Sequence, residues 1–188
     1  MGEDRSSRKE AIMKAALSVF SQHGFHAARI EDISREAGVG KGTIYQYFSS
    51  KEDLFRAMLI DGMERYVRIL QSTVEEEDRV RDRIRVLFQT NLYLARTNSR
   101  AARVILEGLT GLGDEMHDWF LGLRENILSS LENLVREGIE RGELRPVNPR
   151  HAAYLLLGVL HTLAVAGMMG ETEDETISDM VLMGLEPR

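Results

Sequence analysis

GFHAARIEDISREAGVGKGTIYQYFSSKEDL, residues 24–54, decides how the rest of this 188-residue chain is read. Ile30, Ile33 and Ala37 fall on one side of a short helix over about 30–37. Gly38 supplies the backbone angles of a tight turn, and Val39 plugs the corner. A second short helix starts near Lys41 and ends near Phe48, with Ile44 and Phe48 facing inward. At about 100° per residue, Gly42, Thr43 and Gln46 then face outward, with Tyr45 and Tyr47 flanking them. Two amphipathic helices across a glycine turn, the second with small, hydroxyl, amide and aromatic groups outward, predict a helix-turn-helix that lays one helix in the DNA major groove.

Working back toward the N-terminus, Ile12, Ala16, Val19 and Phe20 recur at helical spacing and predict a first helix over about 8–23. Gly24 is expected to close it in the left-handed conformation, with Phe25 tucking toward the core. Working forward, Ser50-Lys51-Glu52-Asp53 reads as a capping box that opens a long fourth helix to about residue 71. Further helices are expected over about 79–97, 99–108, 114–140, 149–169 and 173–185. A glycine-rich loop (Gly108, Gly111, Gly113) precedes the helix at 114. Asn148-Pro149, a cap followed by a first-turn proline, opens the helix at 149.

No proline occurs before Pro146, and no alternating strand pattern of useful length appears. The expected fold is therefore all-α, with a three-helix DNA-binding head over 1–52 and a larger helical domain over 53–188 joined to it by the long helix. Hydrophobic residues at 43% and charged residues at 29% describe an ordinary globular composition. The chain has no cysteine, which suits a reducing cytoplasm and excludes thiolate metal sites. Its first ten residues, MGEDRSSRKE, carry no apolar run and are not expected to act as a secretory signal.

A net charge of −6 looks unfavourable for a nucleic-acid partner until it is divided. Residues 1–50 hold seven Lys/Arg against six Asp/Glu, leaving 17 basic and 24 acidic groups in the remainder. An acidic body repels phosphate everywhere except at the head, which orients the encounter.

The chemistry of the outward face follows from its residue types. Gly42 allows close approach of backbone to DNA. Thr43 suits a thymine methyl, a base edge or a phosphate, and Gln46 suits bidentate pairing with adenine. Lys41 reaches a guanine edge or a phosphate, while Tyr45 and Tyr47 present phenol hydroxyls to phosphate oxygens. Lys51, in the first turn of the fourth helix, is expected to hold a phosphate together with that helix terminus.

With those residues in view, the segment resembles the TetR/AcrR family of bacterial transcriptional regulators. Gly24, Phe25, Ile30, Ile33, Ala37, Gly38, Val39, Gly42, Thr43, Ile44, Tyr45, Tyr47, Phe48, Ser50, Lys51, Glu52 and Leu54 all match the family pattern. The resemblance implies DNA contacts from Thr43, Tyr45, Tyr47 and Lys51, with Lys41 at the variable base-reading position. Ala28 and Arg29 stand where the family usually has hydroxyl residues, so Arg29 is expected to replace a phosphate contact with its charge. Gly40 replaces a serine and Ser34 an alanine.

The family layout also implies a C-terminal domain that binds a small molecule and forms a homodimer. Ala152–Met169 is eighteen residues long and almost wholly apolar. Length alone permits a membrane span, but the capped start suits a helix covered by core on one side and a partner subunit on the other. Helices 149–169 and 173–185 are thus expected to form a four-helix interface between two copies. Phe88, Tyr93, Met116, His117, Trp119 and Phe120 are the candidate effector contacts, with Trp119 foremost and a largely hydrophobic ligand expected.

No metal or cofactor is expected. His23 and His26 lack a carboxylate frame, the glycines at 38, 40 and 42 follow no strand, and no Lys-Ser/Thr follows the glycine-rich loop. No nucleophile and base are paired, so an enzyme is not expected. The expectation is a cytoplasmic, ligand-responsive regulator, a repressor by the family's habit, binding a palindrome in double-stranded DNA with recognition helices spaced by roughly 34–36 Å or a larger whole-turn separation. The alternative is a small-molecule-binding helical protein whose head docks on another protein.

Overall fold

The computed structural model describes residues 2–101, 104, 113–170 and 176–185. Among these, every regular element is helical: α1 (Gly2–Ala27), α2 (Ile30–Glu36), α3 (Lys41–Tyr47), α4 (Lys51–Glu75), α5 (Val80–Thr97), α6 (Gly113–Glu140), α7 (Pro149–Met169) and α8 (Thr176–Leu185). The expected helix over 99–108 and its glycine-rich loop fall mainly outside the described residues. The chain divides into two compact units, one of residues 1–65 and 100–117, the other of residues 66–99 and 118–188.

The first unit is built on α1. Ile12, Ala16, Val19 and Phe20 are buried on the face that their spacing specifies, and Met13 and Ala15 widen it. Gly24 departs from the expected left-handed cap. Its φ of 74° is positive but its ψ is 162°, a region essentially restricted to glycine. The chain kinks there and resumes helical geometry to Ala27, which turns Phe25 back onto the core. Phe25 stands 5.7 Å from Phe20 and 4.7 Å from Phe55, and Phe20 meets Phe55 edge-on at 5.0 Å. Tilted and edge-to-face geometries of this kind are favourable beyond simple burial.

The core of this unit continues past the boundary expected after residue 52. Leu54, Phe55, Met58 and Leu59, in the first turns of α4, are buried with Ile30, Ile33, Ile44 and Phe48. The physical reason is short connection: only three residues separate α3 from α4, so the start of α4 must cover the same apolar surface. The capping box that opens α4 is shifted by one residue. Asp53 N donates to Ser50 Oγ (3.0 Å), but the Asp53 carboxylate accepts from Ser49 N (2.7 Å) and Ser49 Oγ (3.0 Å) instead of from Ser50.

In the second unit, Val80, Ile84, Leu87 and Phe88 of α5 share a core with Leu128, Leu131 and Val135 of α6, with Leu156, Leu160 and Leu163 of α7, and with Leu182 and Leu185 of α8. The start of α7 is as expected: the Asn148 side chain accepts from His151 N at 3.0 Å and Pro149 is the first helical residue. Gly170, at φ 73° and ψ 18°, closes α7 in the left-handed region. A Cβ placed on Gly167 would lie 3.0 Å from Ala95 Cβ and 3.1 Å from Leu92 Cδ1, so α7 approaches α5 at backbone distance there. Gly158 instead faces open space.

By length and composition α7 would suffice to cross a membrane. It nevertheless divides into two faces. Ala152, Ala153, Leu156, Leu160, Leu163 and Gly167 are buried in the core, while Leu155 (69% exposed) and Met169 lie on its surface. Arg150 ties its start to α6, with Nη2 2.7 Å from Glu125 and Nη1 3.4 Å from Glu132.

Candidate nucleic-acid interface

The outward face of α3 is set by what holds α3 down. Ile44 is buried, and Phe48, the residue that ends the helix, is buried with it. Those two anchors lie four residues apart, so the intervening Tyr45 and Gln46 are turned outward and are exposed, as are Lys41 and Gly42. Thr43 and Tyr47 are half-buried at the flanks. Nothing lies within 4 Å of a Cβ built on Gly42, so the surface at that position is open.

Neither short helix has a side-chain cap. Arg29 and Gly40 occupy the two cap positions in extended conformation, and neither side of the turn supplies a substitute. Arg29 is exposed, whereas its neighbour Ala28 is buried in the core. A hydroxyl residue at 28 would have to bring its oxygen into that apolar surface, which accounts for the alanine.

Two lysines are engaged in ways that spacing along the chain does not reveal. Lys41 Nζ lies 2.5 Å from Glu31 Oε1, with both side chains half exposed. The pairing keeps both groups charged: the Lys41 hydrogen bond lowers the Glu31 carboxyl below its ordinary range, and Glu31 raises the Lys41 ammonium in return. In water such a pair is weak and exchangeable. Lys41 therefore remains available to a base or phosphate if Glu31 is given up.

Lys51 is different. Its ammonium donates to the backbone carbonyls of Phe25 (2.8 Å), Ala28 (3.1 Å) and His26 (3.3 Å), and it sits 4.6 Å from the centre of the Phe25 ring. An ammonium has three protons, and all three have acceptors inside the protein. Lys51 thus caps the carbonyls left unpaired where α1 ends, a role that competes with the direct grip on phosphate expected of it.

The six effector candidates differ in burial and fall in both units. Phe88 is buried within the core of the second unit, whereas Tyr93 is 65% exposed. Five residues along a helix turn through about 500°, leaving Tyr93 about 140° around α5 from Phe88. Met116, buried, and His117, exposed, belong to the first unit. Trp119 and Phe120 are half-buried with their rings edge-on at 4.9 Å.

A buried polar link in the second unit joins α4, α5 and α7. Tyr66 Oη donates to Asn91 Oδ1, and Asn91 Nδ2 donates to the Leu160 carbonyl at 2.7 Å. Asn91 is wholly buried, and burial pushes the Tyr66 phenol up to about 12. Asn91 sits on the buried face of α5 between Leu87 and Ala95, each four residues away. That placement, an amide on an apolar stripe, was the available signal for it.

With this geometry established, comparisons with known proteins align with both units. The model of bacterial regulatory proteins of the tetR family matches residues 12–58. The tetracyclin repressor-like C-terminal domain matches residues 77–165. The HTH-type transcriptional regulator RutR of Escherichia coli O157:H7 is 28% identical over 151 residues, covering 80% of this chain and 71% of its own. Among solved structures, the fatty acid degradation regulator FadR from Bacillus halodurans superimposes with a TM-score of 0.76 at 26% identity, covering 94% of this chain and 99% of that one. A transcriptional regulator FadR from Bacillus subtilis, in complex with stearoyl-CoA, gives 0.75 at 24% identity over 93% of this chain and 95% of that one.

Proposed function

We infer the mode of action from one premise: this chain belongs to the TetR family of bacterial regulatory proteins and is a ligand-responsive, DNA-binding transcriptional regulator. The reading is of a cytoplasmic repressor that binds a palindromic operator as a homodimer and leaves it when a largely hydrophobic effector binds. The observation that carries the DNA-binding part is the placement of Tyr45 and Gln46 on the open side of α3 over the buried anchors Ile44 and Phe48.

In this reading Gln46 and Lys41 read base edges, Thr43 and Gly42 allow close approach, and Tyr45, Tyr47 and Arg29 steady the backbone. Lys51 acts through position, by fixing the end of α1 against the start of α4. Support for a homodimer comes from the surfaces of α7 and α8, where Leu155, Met169, Met180 and Met183 are all at least 66% exposed. Exposed apolar groups of this size on adjacent C-terminal elements fit burial against a second copy.

For the effector, Tyr66 and Asn91 are better polar anchors than the aromatics, because they are hydrogen-bonded to each other and Asn91 is wholly buried. Acyl-coenzyme A thioesters lead the candidates, since a similar structure holds stearoyl-CoA. To release DNA, an effector must favour the non-binding conformer by about 5.5 kcal/mol to move a balance from 1:99 to 99:1.

The test is selection of bound fragments from genomic DNA by the full chain, repeated with acyl-CoA thioesters and a panel of other hydrophobic compounds. Enrichment of one inverted repeat, lost with an active compound, is the expected result. A chain that retains no duplex DNA at low ionic strength would overturn the reading and favour a head that docks on protein.

A further inference from the structure

The first turns of α1 precede the residues matched by the tetR-family model, which begins at residue 12. They are nevertheless built into the surface beside α3. The Arg5 guanidinium lies 5.7 Å over the centre of the Tyr47 ring, and the Lys9 ammonium lies 5.8 Å over that of Phe48. Arg5 and Lys9 are four residues apart, so they share one face of α1. Together with Ser6, Gln46 and Tyr47 they line a cleft of about 340 Å³.

The chemistry of this cleft is one-sided. Among the described residues its lining offers a guanidinium, an ammonium, hydroxyls and an amide, and no carboxylate. Aromatic faces hold the two cations in place through the ring quadrupole. Unlike an ion pair, that contact does not neutralise the charge, so the N–H groups remain able to grip an anion. Gln46 belongs both to the cleft and to the outward face of α3. An anion in the cleft would therefore lie beside whatever Gln46 reads.

We propose that the Arg5–Lys9–Tyr47 cleft takes a backbone phosphodiester of the same DNA duplex that α3 enters, extending the interface along α1. The inference rests on the DNA-binding reading above. It adds one phosphate per subunit, held by two cations, and explains how a head with a charge balance of only +1 holds a polyanion: its cations are placed, not abundant.

The test measures affinity across a salt series, using the full chain and the Arg5→Ala, Lys9→Ala double variant on a selected operator duplex and on an unrelated one. Each phosphate contact contributes about 0.9 to the slope of log K against log salt. The expected result is a slope shallower by about 0.9 per bound subunit on both duplexes, with base preference unchanged. The Arg5→Lys, Lys9→Arg variant is expected to keep the wild-type slope.

Wild-type slope in the double variant would overturn the proposal, even if affinity fell, because a merely structural defect weakens binding without removing counterion release. A changed base preference would also overturn it, by moving these cations from phosphate to base edges. Failure of the wild type to bind any duplex would instead sink the DNA-binding reading itself.

Discussion

The Lys51 ammonium stands 2.8 Å from the Phe25 carbonyl oxygen, joining the first turn of α4 to the end of α1 across 26 residues of chain. With His26 and Ala28 also accepting, one side chain satisfies three carbonyls. Lys51→Ala is therefore expected to destabilise the head by about 1–3 kcal/mol, the cost of leaving partly buried acceptors unpaired. Denaturant unfolding checks the stability. The slope of DNA affinity against salt should stay at the wild-type value, and a slope lowered by about one would return this ammonium to the phosphates.

Gln46 points outward between two inward anchors, so its amide is placed for base edges. Gln46→Ala is expected to relax preference at one base pair, costing roughly 1–3 kcal/mol against the preferred base. Selection from a randomised duplex pool measures this. Recovery of the unaltered motif would remove Gln46 from the readers.

Tyr66→Phe leaves Asn91 Oδ1 buried without its donor, at a cost of about 1–3 kcal/mol in unfolding free energy. The same phenol predicts a pH dependence. Its folded value of about 12 lies above the ordinary 10 of the unfolded chain. The folded form thus holds the proton more tightly. The stability this provides is complete below pH 10 and is lost as pH climbs from about 10 to about 12. Urea midpoints from pH 8 to 11 should decline more steeply in the wild type than in Tyr66→Phe.

On the C-terminal surface, Leu155→Glu and Met183→Glu are expected to shift a dimer to monomer, because each places a charge on a 69% or 71% exposed apolar site. Sedimentation velocity reads the mass. Operator affinity should fall while the monomer stays folded, and an unchanged mass in both variants would place the subunit contact elsewhere.

Legibility from sequence tracked the range of the interaction. The buried stripe Ile12, Ala16, Val19, Phe20 and the opening Asn148-Pro149 are local signals, and the helices stand where those signals put them. The outward set on α3 was legible in part: Gly42 and Gln46 are exposed as expected, but Thr43 is half-buried and Tyr45, expected at the flank, is exposed. Long-range pairings were not legible. Lys51 meets carbonyls 23 to 26 residues away, and Lys41 meets Glu31 across the turn. Spacing also cannot tell an aromatic that faces core from one that faces water, hence Phe88 inside and Tyr93 outside.

Gly167 carries a mechanical consequence. With only hydrogen where a methyl would lie 3.0 Å from Ala95 Cβ and 3.3 Å from the Leu92 carbonyl oxygen, α7 comes close to α5 at this one position. At that one point a larger residue on α7 would have to push the two helices apart, so position 167 sets how closely this end of α7 can seat on α5. Gly167→Ala would thus act as a wedge between two helices that elsewhere meet through their side chains.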